Sequence, residues 1–168
     1  MKCFIAVVAF FLNVLSLNLV AATITNDTVI TLEEGGSDTG STFRVDYGEY
    51  GYTEWTAIEF TDNTVEFSIT VENTATDGSR FTSFALQDIT PDATTISILD
   101  EKSGWYVELL DDGKYPGGNT IELCFWAGKQ CKGDGGEGLL STDGVSTFSI
   151  LLSGANFEAL GVTLGKFY

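Results

Sequence analysis

The chain has no histidine, only two prolines, and eight basic residues against 24 acidic ones in a total of 168. Each shortage removes a class of function. Without imidazole, Ser-His-Asp and Cys-His hydrolysis and histidine-ligated metal catalysis are excluded as they are ordinarily built. A formal net charge of −16 repels phosphate backbones, because nucleic-acid affinity comes from Lys and Arg displacing counterions. Anionic lipid surfaces are disfavoured for the same reason. No glycine-rich loop leads into a helix, which leaves nucleotide binding without support. With no Pro-rich linker there is also no internal boundary to divide the chain.

One long apolar run is present, and it lies at the start. Lys2 is followed by Phe4-Ile5-Ala6-Val7-Val8-Ala9-Phe10-Phe11-Leu12, and the segment closes on Val20-Ala21-Ala22. Positive, then apolar, then small is the order of a secretory signal peptide. Residues 1–22 are read as that leader, with cleavage after Ala22. Asn13, Ser16 and Asn18 interrupt the run, whereas a spanning helix needs about 20 mostly apolar residues, so no stable membrane span is expected. Losing Lys2 makes the body one unit more negative than −16, a charge that keeps an exported protein soluble and monomeric. The expected location is secreted, extracellular or at the cell surface. Residues 23–168 suffice for one core: a chain of roughly 150 residues buries about 68–70% of its unfolded surface.

Two-residue periodicity dominates that body. In Thr64-Val65-Glu66-Phe67-Ser68-Ile69-Thr70-Val71-Glu72 the apolar side chains point one way and the polar ones the other, the pattern of a strand with one buried face. Segments 119–126 and 147–152 repeat it, and Leu151 suggests partial cover on the second face. Further strands are expected at 28–32, 42–47, 55–60, 80–87, 94–99, 105–110 and, briefly, 162–167. Turn chemistry separates them at Gly35-Gly36-Ser37, Asp77-Gly78, Asp111-Asp112-Gly113, Pro116-Gly117-Gly118-Asn119, Asp143-Gly144 and Ser153-Gly154. Only 156–160 suggests a helical turn. Many short strands at fairly even spacing predict a single all-β domain, an antiparallel β-sandwich or jelly roll.

Cys3 belongs to the leader, so Cys124 and Cys131 form an even pair in an exported body and are read as a disulfide. Closing that eight-residue loop stabilises the fold by about 2.5 kcal/mol on loop entropy alone. The C-x6-C spacing fits neither a four-ligand zinc site nor a C-x-x-C redox motif. Three constellations remain for chemistry. Asp111, Asp112, Asp134, Glu137 and Asp143 offer the hard oxygens that a structural calcium ion takes, although Asp-Gly is also ordinary turn vocabulary. Tyr47, Tyr50, Tyr52 and Trp55 crowd one segment, where flat rings could stack on sugars; Trp105-Tyr106 and Trp126 lie elsewhere. Glu54 and Glu59 flank Trp55-Thr56-Ala57-Ile58, loosely like the acidic strand of laminarinase-type glycosidases, but Thr56 stands where a middle aspartate belongs. Asn26-Asp27-Thr28 is a glycosylation sequon.

From Phe67-Ser68-Ile69-Thr70-Val71-Glu72-Asn73-Thr74 onward the chain resembles exported bacterial proteins of the PEP-CTERM class, in the cistern group that carries a cysteine pair. The likeness continues through Ser79-Arg80-Phe81-Thr82-Ser83-Phe84-Ala85, Thr90-Pro91-Asp92-Ala93 and Gly104-Trp105. It then takes in Leu123-Cys124-Phe125 to Cys131 and ends at Phe148 to Ser153. The resemblance implies export by a Gram-negative, polysaccharide-producing cell and a role at the surface or in the matrix, and brings no catalytic residues. Relatives carry a sorting tail with a Pro-Glu-Pro tripeptide, an apolar helix and a basic end. This sequence stops at Leu164-Gly165-Lys166-Phe167-Tyr168, about where that tail begins, which leaves a released member or a shortened sequence as alternatives. The combined expectation is a non-enzymatic secreted, cell-surface or matrix protein, with extracellular polysaccharide or matrix components as partners. A carbohydrate-binding module is the alternative.

Overall fold

A computed structural model describes residues 22–25, 29–33, 38–100, 102–128, 130–131 and 138–168. The leader up to residue 21, the sequon at Asn26, the Gly35-Gly36-Ser37 turn, and Asp134 and Glu137 lie outside the described residues. The architecture is an all-β sandwich. In chain order the strands are β1 (Ala22–Thr25), β2 (Ile30–Leu32), β3 (Thr42–Asp46), β4 (Gly51–Phe60), β5 (Thr64–Asn73), β6 (Arg80–Phe81) and β7 (Ser83–Leu86). They continue as β8 (Ile89–Thr90), β9 (Ala93–Ile98), β10 (Trp105–Lys114), β11 (Thr120–Ala127), β12 (Leu139–Leu140), β13 (Val145–Gly154) and β14 (Val162–Leu164). One helical turn, α1 (Phe157–Leu160), falls where it is expected.

The first layer has six strands in the order β1-β3-β4-β5-β13-β9. All its pairings are antiparallel except β1 on β3, which is parallel. The second layer has β10-β11-β7 at one side and β2-β14-β8 at the other. These two pieces are one sheet. Thr163 faces Thr90 and Leu164 faces Ile89. The Gly165 amide donates to the Asp88 carbonyl at 2.7 Å, and the Gln87 amide to that of Lys166 at 2.8 Å. Phe167 bridges Leu86, and Ala85 and Tyr168 exchange both backbone bonds at 2.9 and 2.8 Å. The register stays constant from Thr163 opposite Thr90 to Tyr168 opposite Ala85. Residues 83–90 therefore act as one strand and 162–168 as its partner, in a layer five strands wide.

The core lies between the layers. Along β5 the alternation is strict: Val65, Phe67, Ile69 and Val71 are fully buried, as the period-two pattern predicts. Trp55 sits at the centre. Its ring lies 5.6–6.1 Å from those of Phe43, Phe67, Phe84, Phe125 and Phe167, which come from both layers. Most of these contacts are edge-on, the arrangement the ring quadrupole favours. The buried indole N–H donates to Thr53 Oγ1 at 2.9 Å, and the same oxygen lies 3.3 Å from the Tyr47 hydroxyl. Asn73, the one polar residue in the inward row of β5, is equally well supplied. Its amide donates to the carbonyls of Ser79 and Leu139 at 2.7 and 2.6 Å and its oxygen accepts from the Ala75 amide at 2.8 Å.

Several boundaries differ from the sequence expectation, each for a local reason. Asp111-Asp112-Gly113 is not a turn: β10 runs through it as a bulge between Leu109 and Gly113. A Cβ at Gly113 would meet Leu110 Cδ1 at 2.6 Å, so glycine admits the kink. The expected strand over 80–87 breaks at Thr82, where β6 pairs with β12 and β7 turns to β11. β4 begins at Gly51 rather than Trp55, because residues 51–54 already pair with 70–73 of β5; Gly51, at φ 134°, passes so close to the Glu72 carbonyl that a side chain has no room. β1 has no signal in the alternation, and it starts at Ala22, the residue expected to end the leader.

These contacts rank two substitutions. Trp55→Ala should cost about 3–5 kcal/mol, the usual range for an aromatic truncated in a core. Thr53→Val should cost about 1–3 kcal/mol by leaving the indole N–H unpaired. Urea denaturation reads both as lowered midpoints, and equal costs would remove the aromatic hub from its central place.

Candidate functional site

The four aromatics that crowd 47–55 do not form one surface. Along β4, Thr53, Trp55 and Ala57 point inward and are buried. Trp55 therefore belongs to the core and leaves the sugar-stacking set. Tyr52 has the opposite parity and lies on the outer face of the six-stranded sheet. There the Arg44 guanidinium stands 3.7 Å from its ring centroid and pairs with Glu54 at 3.2 Å, while its hydroxyl donates to the Glu72 carboxylate. That hydrogen bond, helped by burial, holds the Tyr52 phenol above its ordinary value. A ring already stacked on Arg44 and tied to Glu72 is engaged within the protein.

Tyr47 and Tyr50 stand elsewhere, in a cleft of about 350 Å³. The turn that presents them is fixed by its backbone. The Tyr47 amide donates to the Gly51 carbonyl at 2.9 Å, the Gly48 amide to Asp46 Oδ1 at 2.7 Å, and Gly48 takes φ 69°. Three other segments complete the walls. Arg80, Phe81, Thr82 and Ser83 come from the β6–β7 junction, Tyr115 and Pro116 from the β10–β11 hairpin, and Tyr168 from the strand beside β7. The hairpin is closed by Tyr115 N–H to the Asn119 carbonyl and Gly118 N–H to that of Tyr115, each at 3.0 Å, as Pro-Gly-Gly-Asn chemistry requires.

Most of the rings in this cleft are held in place. Tyr47 meets Phe81 edge-on at 5.4 Å, and burial pushes its phenol well above the ordinary value. The Tyr115 hydroxyl lies 2.8 Å from Ser83 Oγ, and its phenol is likewise raised by burial. The Tyr168 hydroxyl donates to Gln87 Oε1 at 2.9 Å. Tyr50 differs, with 54% of its surface exposed. Arg80 is exposed and uses one guanidinium nitrogen on the Gly138 carbonyl at 2.8 Å. No aspartate or glutamate lines the cleft among the described residues.

A second concavity, of about 440 Å³, opens between the edge strands β9 and β10. Ile96, Ile98 and Val107 make it mainly apolar, and Tyr106 and Trp126 stack at 5.8 Å on its rim. Among the described residues Ser97 is the one polar side chain set between its aliphatic and aromatic walls.

Cys124 and Cys131 are joined, with Cα atoms 5.9 Å apart. Cys124, expected on the polar face of β11, is fully buried with Ala85 and Ile121 beneath Tyr115, Trp126 and Tyr168. The disulfide thus sits on the outside of the second layer. Asp111 is exposed. Of Asp112 only the backbone is described. Asp143 accepts the Leu140 amide at 2.8 Å and closes its own turn. Among the described residues no group of three or more acidic or thiol side chains is arranged to hold a metal ion. Glu54 and Glu59 both lie on the open outer face of the first layer, Glu54 paired with Arg44 and Glu59 opposite Glu66 after a bulge. They do not flank a cleft as two glycosidic carboxylates do. Comparison with family models, curated proteins and solved structures gives no match.

Among the half-buried carboxylates Glu122 stands apart. Burial raises it above its ordinary value, and Asp92 and Asp88 add to the rise, against a hydrogen bond from the Ile89 amide at 2.8 Å. A carboxyl that holds its proton more tightly in the folded state favours folding below its unfolded value of 4.5. That contribution is lost as pH rises through the folded value. Glu122→Gln keeps the acceptor and removes the charge, so it should melt above the parent at pH 7 and converge with it near pH 4. Paired thermal melts across that range check the sign, and a constant gap would contradict it.

Proposed function

We propose that this chain is an exported protein that acts outside the cytoplasm through surface contacts rather than catalysis, at the cell surface or in an extracellular matrix. The Cys124–Cys131 disulfide carries the reading, since such bonds persist in oxidising compartments and are rare in the cytosol. The apolar leader and the strongly acidic body point the same way, and so does the resemblance to PEP-CTERM proteins of the cistern group. Glu54 and Glu59, the one carboxylate pair the sequence offers for glycoside chemistry, stand on an open face. A carbohydrate-binding role is the second reading. It is favoured by the tyrosine cleft, which retains Tyr47 and Tyr50 and replaces Tyr52 and Trp55 with Arg80, Tyr115 and Tyr168.

Expression of the full chain in a Gram-negative host, followed by fractionation and thiol alkylation, tests the first reading. The product should appear outside the cytoplasm, shortened by residues 1–22, unreactive to alkylation until reduced. A full-length cytoplasmic product with alkylated thiols would overturn it.

A further inference from the structure

The cleft's chemistry is more specific than a general contact surface. We propose that it binds a neutral glycan, one pyranose ring stacking on Tyr50 while its hydroxyls take hydrogen bonds from the Arg80 guanidinium. This names the partner class for the surface-contact reading, and rests on that reading only for where the glycan is met.

Three observations lead to a sugar. A pyranose has an apolar C–H face and a rim of hydroxyls, so it needs a ring to stack on beside fixed polar groups. Tyr50 supplies the ring: more than half exposed, it stands on a turn held by backbone bonds, so stacking does not require a core residue to move. Arg80 supplies the donors. A guanidinium carries five N–H groups in a rigid fork, and one nitrogen is committed to Gly138. The remaining walls are already organised, with Tyr47, Tyr115 and Tyr168 each hydrogen-bonded at the hydroxyl. Binding then spends little ordering entropy, which is what lets a shallow site hold a weak ligand. The volume, about 350 Å³, falls in the usual range for a ligand site, as does a mostly aromatic lining with few polar groups.

Charge argues for a neutral polymer. The body carries about three acidic residues for each basic one, so a uronate or sulfated chain meets a repulsive field before it reaches the single arginine. The groove between β9 and β10 provides the contrast within the same protein. It has stacked aromatics in Tyr106 and Trp126 but, among the described residues, no cationic or amide side chain to take hydroxyls. Aromatic exposure alone would place the sugar there; the pairing of ring and donor places it at Tyr50 and Arg80.

Titration calorimetry on the purified protein with its disulfide formed tests this, with cello-, xylo- and manno-oligosaccharides as neutral ligands and oligouronates as the charged arm. At least one neutral series should bind. Tyr50→Ala and Arg80→Gln should each weaken it about tenfold, or 1.4 kcal/mol, while Tyr106→Ala leaves it unchanged. Both cleft side chains are exposed, and unchanged thermal melts will show that the variants fold. Four results would overturn the proposal: no neutral ligand bound, full affinity in Tyr50→Ala, loss in Tyr106→Ala instead, or binding of oligouronates alone. Because binding is read on purified protein, it can fail while export succeeds, or succeed while export fails.

Discussion

The fold depends on satisfying one buried indole. Trp55 is the largest side chain wholly enclosed between the layers, and five phenylalanines from both sheets close around it. An indole in that position brings a polar N–H into an apolar interior, where an unpaired donor costs a kilocalorie or more. Thr53, two residues earlier on the same face of β4, supplies the acceptor. The pair is self-contained within one strand, so the N–H is satisfied wherever the opposing sheet settles. The same hydroxyl reaches Tyr47, so the core's central polar contact leads to the wall of the tyrosine cleft. Interior packing and surface shape meet at a single threonine.

A second constraint runs along the seam between 83–90 and 162–168. With the register unbroken over six residue pairs, the second layer is a continuous sheet rather than two fragments, and Tyr168 arrives beside Ser83 and Tyr115 as a result. The cleft is assembled at that seam. Its walls come from the turn after β3, the β6–β7 junction, the β10–β11 hairpin and the strand ending at Tyr168. Each segment is held by its own backbone bonds, so the cavity exists before anything enters it.

Much of the layer architecture was legible in the sequence. Strict alternation in β5 and β13 fixes which side chains face inward, and Pro116-Gly117-Gly118-Asn119 marks its hairpin. Alternation also carried a warning about the aromatics: Tyr52 and Trp55 differ by three positions, so on one strand they point to opposite faces. The bulge at Gly113 and the break at Thr82 were not legible, because each arises where another segment approaches, and a one-dimensional pattern holds no record of approach. The cleft was hidden for the same reason. Tyr115, Arg80 and Tyr168 are ordinary residues until long-range register places them together, and only the Tyr47–Tyr50 side of the site lay within reach of local reading. The cysteine pair was the opposite case, since a short loop needs no distant partner to bring its ends together.

The strand formed by residues 162–168 lies in the interior of its sheet, flanked by β2 on one side and residues 85–90 on the other. Neither neighbour can complete its pairing until this segment docks between them, and contacts so distant along the chain form slowly. A polypeptide of this topology therefore leaves its second layer open until two segments some 130 residues apart in sequence have met.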